Sequence, residues 1–452
     1  MQTKNANYKT VVYFICLVAA LGGLLFGLDQ GFIANSLSTI RAVYHLDTQG
    51  AEQYSAILAT GGVIGALLSG LFARILGRKK SLVIAGFVFT AASIVSATLP
   101  SFFILNACRF FLGFGVGIAS FVTPLYLSET APASIRGSMG TLFQFMITIG
   151  IFLISATNVF IAKIFVNSNA ALPLMFLIIA LFATLMFVGS LVLPESPRWL
   201  MLKGKKERAV KVLQSVFTTQ EEISFEIKEI AETLEHDERI GLGLVFKGYF
   251  LKVLVIGVLL QMFQQLVGIN VMIYYAPTIF SNIGMTGIIA LMTVPTVNML
   301  STLPAIWLVE KWGRKKLLYF GASLMFISML AAGIAFHYMG NSDLPKMVLL
   351  MAVVIYIFGF AVSWGPIPWL VCSEIFPLKG REIGMTITTM VNWTFAGLLM
   401  RYSLSFMDIF GKPSLFYLFS GFCIVAIFYV AACLPETKGI TLEELEAKLK
   451  KA

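Results

Sequence analysis

Residues 24–31 read Leu-Leu-Phe-Gly-Leu-Asp-Gln-Gly, and they place one carboxylate, that of Asp29, near the end of an apolar run that begins at Val11. An apolar run of about 20 residues is long enough to cross a lipid bilayer. An ionisable side chain inside such a run costs free energy, and by default it marks a functional site. This stretch therefore predicts a membrane-spanning helix that carries a functional carboxylate.

The composition extends that prediction to the whole chain. Of its 452 residues, 58% are hydrophobic and 12% are charged, whereas soluble proteins carry about 25% charged residues. The net charge of +10 is explained by the excess of Lys and Arg in cytoplasmic loops, so we expect no nucleic-acid partner. The five cysteines lie in apolar segments and the three histidines are scattered. We therefore expect no metal site, no cofactor and no enzymatic centre.

The hydrophobic pattern predicts an all-α membrane protein with twelve transmembrane helices. The predicted spans lie at about residues 11–33, 54–73, 81–99, 102–126, 138–160, 172–193, 249–280, 286–309, 317–339, 345–372, 383–407 and 414–434. Lys and Arg gather in alternate connectors, which predicts that both termini are cytoplasmic. The one long connector has helical periodicity from Glu221 to Arg239, which predicts a surface helix on the bundle.

Three short motifs occur twice, in the same order and at nearly one offset. They are Leu76–Lys80 with Trp312–Lys316, Ser128-Glu129 with Ser373-Glu374, and Pro194-Glu195-Ser196 with Pro435-Glu436-Thr437. Such repetition predicts two pseudo-symmetric six-helix halves. We assign residues 1–193 to a first half, 194–248 to a cytoplasmic helical linker, 249–434 to a second half and 435–452 to a cytoplasmic tail.

The repeated motifs bring acids and arginines to the predicted cytoplasmic ends of the spans. Arg–carboxylate pairs can be bidentate, which gives a defined geometry to a contact that closes and reopens. We expect them to latch the two halves together in one conformation, so that Glu374→Gln favours an inward-open state; the alternative is static neutralisation of the loops. This cytoplasmic gate comprises Arg78, Glu129, Arg136, Glu195, Arg198, Arg314, Glu374, Arg381 and Glu436.

Among the 23 acidic residues, Asp29 is predicted to be the one well inside a span. Arg109 is the clearly deep arginine, whereas Arg401 lies nearer the outer end of its span. One buried acid and one buried base are expected to pair or to face a water-filled cavity. The pair is either a proton switch, in which neutralising Asp29 releases Arg109, or a permanent ion pair that fixes packing.

Amides, Gly and Pro interrupt the seventh predicted span between Phe263 and Pro277. Interrupted spans are tolerated where they line a cavity, and they often form binding sites near the membrane midplane. Amides both donate and accept hydrogen bonds, which suits the hydroxyls of a sugar, and Trp can cover its C–H face. Singly, each such residue is also a candidate for an interhelical hydrogen bond. The predicted substrate site comprises Gln144, Gln264, Gln265, Asn270, Tyr274, Asn298, Trp369, Asn392 and Trp393.

Together these residues resemble the sugar porters of the major facilitator superfamily, and within them the bacterial sugar:proton symporters for galactose, arabinose, xylose or glucose. The resemblance is carried by Gly22–Asp29, Gly77–Lys79, Arg109, Pro124–Glu129, Pro194–Leu200, Gln264-Gln265, Gly365–Trp369, Asn392-Trp393 and Pro435–Gly439. It implies the major facilitator fold, alternating access, a location in the cell membrane, and a chain that works as a monomer in the lipid bilayer.

The resemblance also implies roles for the residues. A monosaccharide is held between the halves by the nine residues of the predicted substrate site, and Asp29 takes the proton beside Arg109. Passive members of the family tend to have a neutral residue at the Asp29 position, so the acid favours symport. Two alternatives remain: a facilitative uniporter with a structural ion pair, and a sugar receptor that signals without transport. One departure is Arg74-Ile75, where the family commonly has an acid or amide followed by a basic residue.

Overall fold

The computed structural model describes residues 2–130, 136–164, 168–217, 219–235, 248–281, 284–285, 287–338, 343–376 and 380–438. These residues are almost entirely helical, because their apolar side chains face lipid or other helices and only intrahelical bonds can satisfy the backbone there. Within the described part, twelve segments are long and apolar enough to cross a membrane, which confirms the predicted number.

The first half contains six long helices: α1 Gln2–Val43, α2 Thr48–Ile75, α3 Arg78–Ala97, α4 Phe102–Thr130, α5 Arg136–Ile164 and α6 Ser168–Val192. Three shorter helices follow: α7 Pro197–Leu202, α8 Lys206–Val216 and α9 Gln220–Glu235. The second half contains α10 Gly248–Leu266, α11 Ile269–Ser281, α12 Ile288–Trp312, α13 Arg314–His337, α14 Asp343–Gly359, α15 Ile367–Ile375, α16 Arg381–Phe410 and α17 Ser414–Ala432.

The first two spans are longer than predicted. Helix α1 continues to Val43, and α2 begins at Thr48, where the Asp47 carboxylate accepts a hydrogen bond from the backbone N–H of Gly50 at 2.7 Å. The connector that the sequence predicted between residues 33 and 54 is therefore a turn of four residues. Glu52 consequently lies inside the helix of the second span, where its side chain is buried.

The seventh span is broken where the sequence predicted an interruption. Helices α10 and α11 meet at Gly268, which has a φ of +97°, and a Cβ there would come within 2.5 Å of the Phe419 ring. Only glycine satisfies both the backbone angle and the close approach. The tenth span is also broken, by a π-helical turn over Phe360–Trp364, and this break was not predicted.

The linker contains more helix than predicted. Helix α9 corresponds to the periodic stretch from Glu221, whereas α7 and α8 were not predicted. Ile223 and Ile230 are buried, so α9 uses its apolar face for packing as expected. Residues 236–247, at the end of the predicted linker helix, lie outside the described residues, as does most of the predicted tail.

Among the described residues, three helix pairs make the most extensive contacts between the two halves. Helix α1 packs on α11, α2 packs on α16, and α5 packs on α12. The functional site lies among these helices, so a change in its occupancy acts directly on contacts between the halves.

Candidate functional site

Asp29 on α1 and Arg109 on α4 form a buried ion pair. Both side chains are fully excluded from solvent, and Nη1 of Arg109 donates to Oδ1 of Asp29. Among the described residues, Oδ2 of Asp29 and Nε and Nη2 of Arg109 have no hydrogen-bond partner. The pair is thus held by one contact, which leaves part of the desolvation cost of two charges uncompensated.

Two tyrosines complete the surroundings of the ion pair. The guanidinium of Arg109 lies over the ring of Tyr54 on α2, 5.5 Å from its centroid. The hydroxyl of Tyr274 on α11 lies within electrostatic reach of both Asp29 and Arg109, and it has no hydrogen-bond partner among the described residues. Tyr274 was predicted to contact the substrate. In the structure its hydroxyl, which belongs to the second half, lies near the Asp29–Arg109 pair of the first half.

A cavity with an empty volume of about 440 Å³ lies between the halves. Seven of the nine predicted substrate residues line it: Gln144, Gln264, Gln265, Asn270, Asn298, Trp369 and Asn392. Gln30, Phe26, Phe360 and four isoleucines also line it. A wall of amides and aromatic rings with no charged side chain suits a neutral polyhydroxyl ligand.

Trp393, like Tyr274, is not among the residues that line this cavity. Its ring packs on Phe26, with the centroids 5.0 Å apart, and its Nε1 donates to the Ser120 hydroxyl at 3.4 Å. Phe26 itself lines the cavity. Trp393 therefore supports the cavity wall from behind and also joins α16 to the first half.

The cavity amides form a continuous chain of hydrogen bonds. Gln30 donates to Asn270 at 2.8 Å, Asn270 donates to Gln265 at 2.6 Å, and Gln265 donates to Asn392 at 3.1 Å. Asn392 then donates to Gln261 at 2.7 Å and to Gln264 at 2.5 Å. All these groups are buried, so each bond replaces one that water would otherwise make.

Gln264 also explains how the break in the tenth span is tolerated. Its Nε2 donates to the carbonyl oxygens of Trp364 and Gly365, at 2.9 Å and 3.0 Å. A regular helix would pair the Trp364 carbonyl with the N–H of residue 368, but that residue is Pro368 and has no N–H. The Gly365-Pro366-Ile367-Pro368 motif was the available sequence signal for this break.

One end of the bundle, called the basic end here, carries the same cluster in each half. In the first half, Arg78 donates to Glu129 at 2.7 Å and the Ser196 hydroxyl donates to the same carboxylate at 2.5 Å. In the second half, Arg314 donates to Glu374 at 2.7 Å and the Thr437 hydroxyl donates to that carboxylate at 2.6 Å. Two repeats of one motif thus fold into two copies of one geometry.

Glu195 and Glu436 complete the two clusters through the backbone. Glu195 accepts from the N–H groups of Arg78 and Lys79, and Glu436 accepts from those of Arg314 and Lys315. Burial raises the pKa of the Glu195 carboxyl, while these backbone bonds and the Arg78 charge act in the opposite direction.

In this conformation the Arg78–Glu129 and Arg314–Glu374 pairs lie within each half, and the latch between the halves stays a prediction. Arg78, which was predicted to belong to the gate, also reaches across to the other half, where it lies 3.1 Å from Glu382. The sequence repeat places Arg74 where the second half has Glu310, which lies 3.7 Å from Arg314. Arg78 therefore lacks the carboxylate that Arg314 has four residues earlier in the chain, and Glu382 of the other half lies 3.1 Å from it instead.

Three predicted gate residues remain, and all three are arginines: Arg381, Arg198 and Arg136. Arg381 begins α16, and its Nε lies 3.4 Å from the carbonyl oxygen of Phe376. Arg198 lies in α7 beside the first-half cluster. The side chain of Arg136 lies outside the described residues.

The opposite end of the bundle has its own contact between the halves. Glu52 on α2 is fully buried and accepts from the backbone N–H and the hydroxyl of Ser405 on α16, at 2.8 Å and 2.5 Å. Arg401, also on α16, lies 3.6 Å from the same carboxylate. The sequence reasoning missed Glu52 because it placed the start of the second span at residue 54.

A polar cavity between two halves of six spans each defines a membrane transporter and not an enzyme. The chain belongs to the sugar transporter family, since the family model described as "Sugar (and other) transporter" matches residues 15–449. The solved structures that it resembles place this family in the major facilitator superfamily.

Individual relatives agree with this assignment. The chain is 36% identical to the galactose-proton symporter of Escherichia coli (strain K12), over 99% of this chain and 96% of that protein. It superposes on the proton:xylose symporter bound to 6-bromo-6-deoxy-D-glucose with a TM-score of 0.86, at 32% identity over 98% of this chain and 99% of that one. The inward-open structure of the xylose transporter from E. coli is also similar, with a TM-score of 0.80, at 31% identity over 97% of this chain and 99% of that one.

Proposed function

We propose that this protein takes up a neutral monosaccharide together with a proton, as a monomer that works by alternating access in the cell membrane. The sugar occupies the amide-lined cavity, and Asp29 carries the proton. The named functions of the relatives, galactose-proton and xylose-proton symport, support this choice of substrates. The basic end is proposed to face the cytoplasm, because Lys and Arg accumulate there.

The observation that carries the proposal is the position of the Asp29–Arg109 pair. Asp29, the acid of the pair, lies on α1, the helix that also lines the cavity through Phe26 and Gln30. Two desolvated charges joined by one hydrogen bond are poorly compensated, so a proton on Asp29 changes the local energy substantially. A protonated Asp29 no longer holds Arg109, and α1 is then free to shift against α4.

Alternating access requires contacts between the halves that break at one end of the bundle at a time. Arg78–Glu382 at the basic end and Glu52–Ser405 at the opposite end are the candidates for this role. Both contacts involve α16, and both are formed in this structure. Binding of sugar and proton then selects which contact breaks next.

The test is transport by the purified protein in sealed proteoliposomes, with D-galactose, D-glucose, D-xylose and L-arabinose as a panel. We expect at least one sugar to enter, to alkalinise the medium as it enters, and to accumulate when the outside is made more acidic. Sugar entry that neither moves protons nor responds to the pH gradient would identify a facilitative uniporter. Binding without counterflow of labelled sugar would identify a receptor.

A further inference from the structure

Gln30 follows Asp29 in the Leu24–Gly31 motif. Neither the predicted proton site nor the predicted sugar site included it. Successive residues on a helix are rotated by about 100°. Asp29 therefore faces Arg109 on α4, while Gln30 faces the cavity and is buried in its wall. One helical turn thus carries a proton-binding group on one side and a sugar-site amide on the next.

The side chain of Gln30 connects the two halves inside the cavity. Its Nε2 donates to Oδ1 of Asn270 on α11, 240 residues away in the chain, at 2.8 Å. Asn270 is the first member of the second-half amide chain, which continues through Gln265 to Asn392. Gln30 is therefore the point at which α1 enters that chain of hydrogen bonds.

We propose that Gln30 is a substrate-contacting residue supplied by the first half, and that it transmits the protonation state of Asp29 to the sugar site of the second half. This inference rests on the proposed function and deepens it. The ligand class is a polyhydroxyl sugar, because a hydroxyl that enters between Gln30 and Asn270 can accept from one amide and donate to the other. The sugar then replaces one direct bond between the halves by two bonds through itself.

The transmission follows from the rigidity of α1. A movement of α1 that separates Asp29 from Arg109 also moves Gln30 relative to Asn270, since both residues share one helical turn. The titratable and charged groups that face Asp29 are Arg109 on α4 and Tyr274 on α11, with Tyr54 on α2 stacked behind Arg109. By linkage, the factor by which a proton on Asp29 changes sugar affinity equals the factor by which sugar changes proton affinity.

The test measures the affinity of the purified full-length protein for each sugar of the same panel of four. It uses two pH values, one below and one above the range over which the affinity of the wild type changes. Gln30→Leu removes the amide with little change in side-chain size. We expect it to bind about fivefold more weakly, the loss of one neutral hydrogen bond, and to show a smaller affinity ratio between the two pH values. Gln53→Leu on α2, where the side chain is exposed, is the matched control and should change neither quantity.

Wild-type affinity together with a wild-type pH ratio in Gln30→Leu overturns the proposal. Weaker binding with an unchanged pH ratio overturns the transmission and leaves the contact with sugar. If Gln30→Leu does not fold, Gln30→Asn withdraws the amide by one methylene and is expected to produce the same two changes.

A second measurement separates this inference from the proposed function. A double-mutant cycle of Gln30→Leu and Asn270→Leu, read as thermal stability without sugar, is expected to show coupling between the two positions. If the wild type binds none of the four sugars, the proposed function fails. The cycle still shows whether Gln30 and Asn270 interact between the halves. A cycle without coupling overturns the contact on which the inference stands.

Discussion

At the residue scale, the energetics of the site concentrate on Asp29 and Arg109. Moving two charges out of water costs several kcal/mol per ion, and one hydrogen bond returns only part of that cost. Within the described part of the chain, one oxygen of Asp29 and two nitrogens of Arg109 have no hydrogen-bond partner, and these atoms are the structural signs of this imbalance. A stable packing pair would be expected to satisfy more of these atoms, so the geometry favours a carboxylate that exchanges its proton.

Asp29→Asn is expected to abolish proton-driven accumulation and to leave sugar exchange largely intact. The amide cannot take up and release a proton, while the cavity lining is unchanged. Accumulation under a pH gradient and counterflow of labelled sugar measure the two properties in the same proteoliposomes. Asp408→Asn, at an exposed position of α16, is the matched control. Loss of counterflow together with accumulation in Asp29→Asn would show that Asp29 is a structural or sugar-binding residue.

Arg109→Gln is expected to reduce the free energy of unfolding by about 3–5 kcal/mol, because it leaves the buried Asp29 charge without its partner. The double variant Asp29→Asn/Arg109→Gln removes both charges and is expected to recover most of that loss. Denaturation in mixed micelles measures both values. A double variant that is as unstable as the single one would contradict the assignment of the loss to an unpaired charge.

At the element scale, the broken helices position the cavity amides of the proposed sugar site, and α16 joins the halves. The break at Gly268 gives the amides of the seventh span their direction, and Gln264 satisfies the carbonyl oxygens that the tenth span leaves free. Helix α16 contacts the first half near both of its ends, through Glu382 and through Ser405. These end contacts are the elements on which an alternating-access mechanism acts.

Glu382→Gln is expected to favour opening at the basic end, because it removes the charged partner that Arg78 has in the other half. Labelling of a cysteine introduced at the cavity residue Ile151, by an impermeant reagent added from the side of the basic end, should increase. Glu374→Gln is the comparison, since its hydrogen bonds with Arg314 and Thr437 lie within the second half. An equal increase in both variants would mean that the clusters within each half control the opening.

Glu52→Gln is expected to act in the opposite direction. The amide can no longer accept two hydrogen bonds from Ser405 as a carboxylate does, and the attraction to Arg401 is lost. The same cysteine at Ile151 should become more accessible from the end opposite the basic end, while Asp408→Asn leaves its labelling unchanged. Increased labelling from the basic end instead would contradict the proposed division between the two ends.

At the scale of the whole molecule, the two pseudo-symmetric halves surround one cavity, and the ion pair of the first half adjoins Tyr274 of the second. Each half repeats the cluster at the basic end, but the proposed proton site and most of the proposed sugar site belong to different halves. The proposed coupling between sugar and proton therefore requires a change in the contacts between the halves. Such a change occurs when the two halves move against each other, because sugar and proton both bind next to the surface on which the halves meet.

One proton that moves inward across a potential of 100 mV contributes about 2.3 kcal/mol. We therefore expect the wild type to accumulate sugar more than tenfold at that potential. An uncoupler should return the internal concentration to the external one without stopping equilibrative entry. Measured sugar concentrations in proteoliposomes with an imposed potassium diffusion potential provide the check. A concentration ratio that does not respond to the potential would exclude electrogenic symport.

Several parts of the site were predictable because each carries a local signal. Asp29 and Arg109 are charges in apolar runs, and the cavity amides interrupt spans that are otherwise apolar. Glu52 was missed because its helix begins earlier than hydrophobicity indicates, and its carboxylate finds its partners 353 residues away. Gln30 and Glu382 were missed because a single amide inside a span, or a single acid at its end, has no local pattern that identifies its partner.

The sequence by itself determined the number of spans and the duplication into halves, and it identified Asp29 and Arg109 as buried charges that either pair or face a water-filled cavity. The length of an apolar run and the repetition of a motif can both be read directly from neighbouring residues. The cost of an isolated buried charge excludes arrangements that leave Asp29 alone in the membrane, so it too can be evaluated without coordinates. Only the tertiary structure decided which contacts cross between the halves. Gln30–Asn270, Arg78–Glu382 and Glu52–Ser405 each join residues hundreds of positions apart, and their geometry exists only after the two halves have packed together.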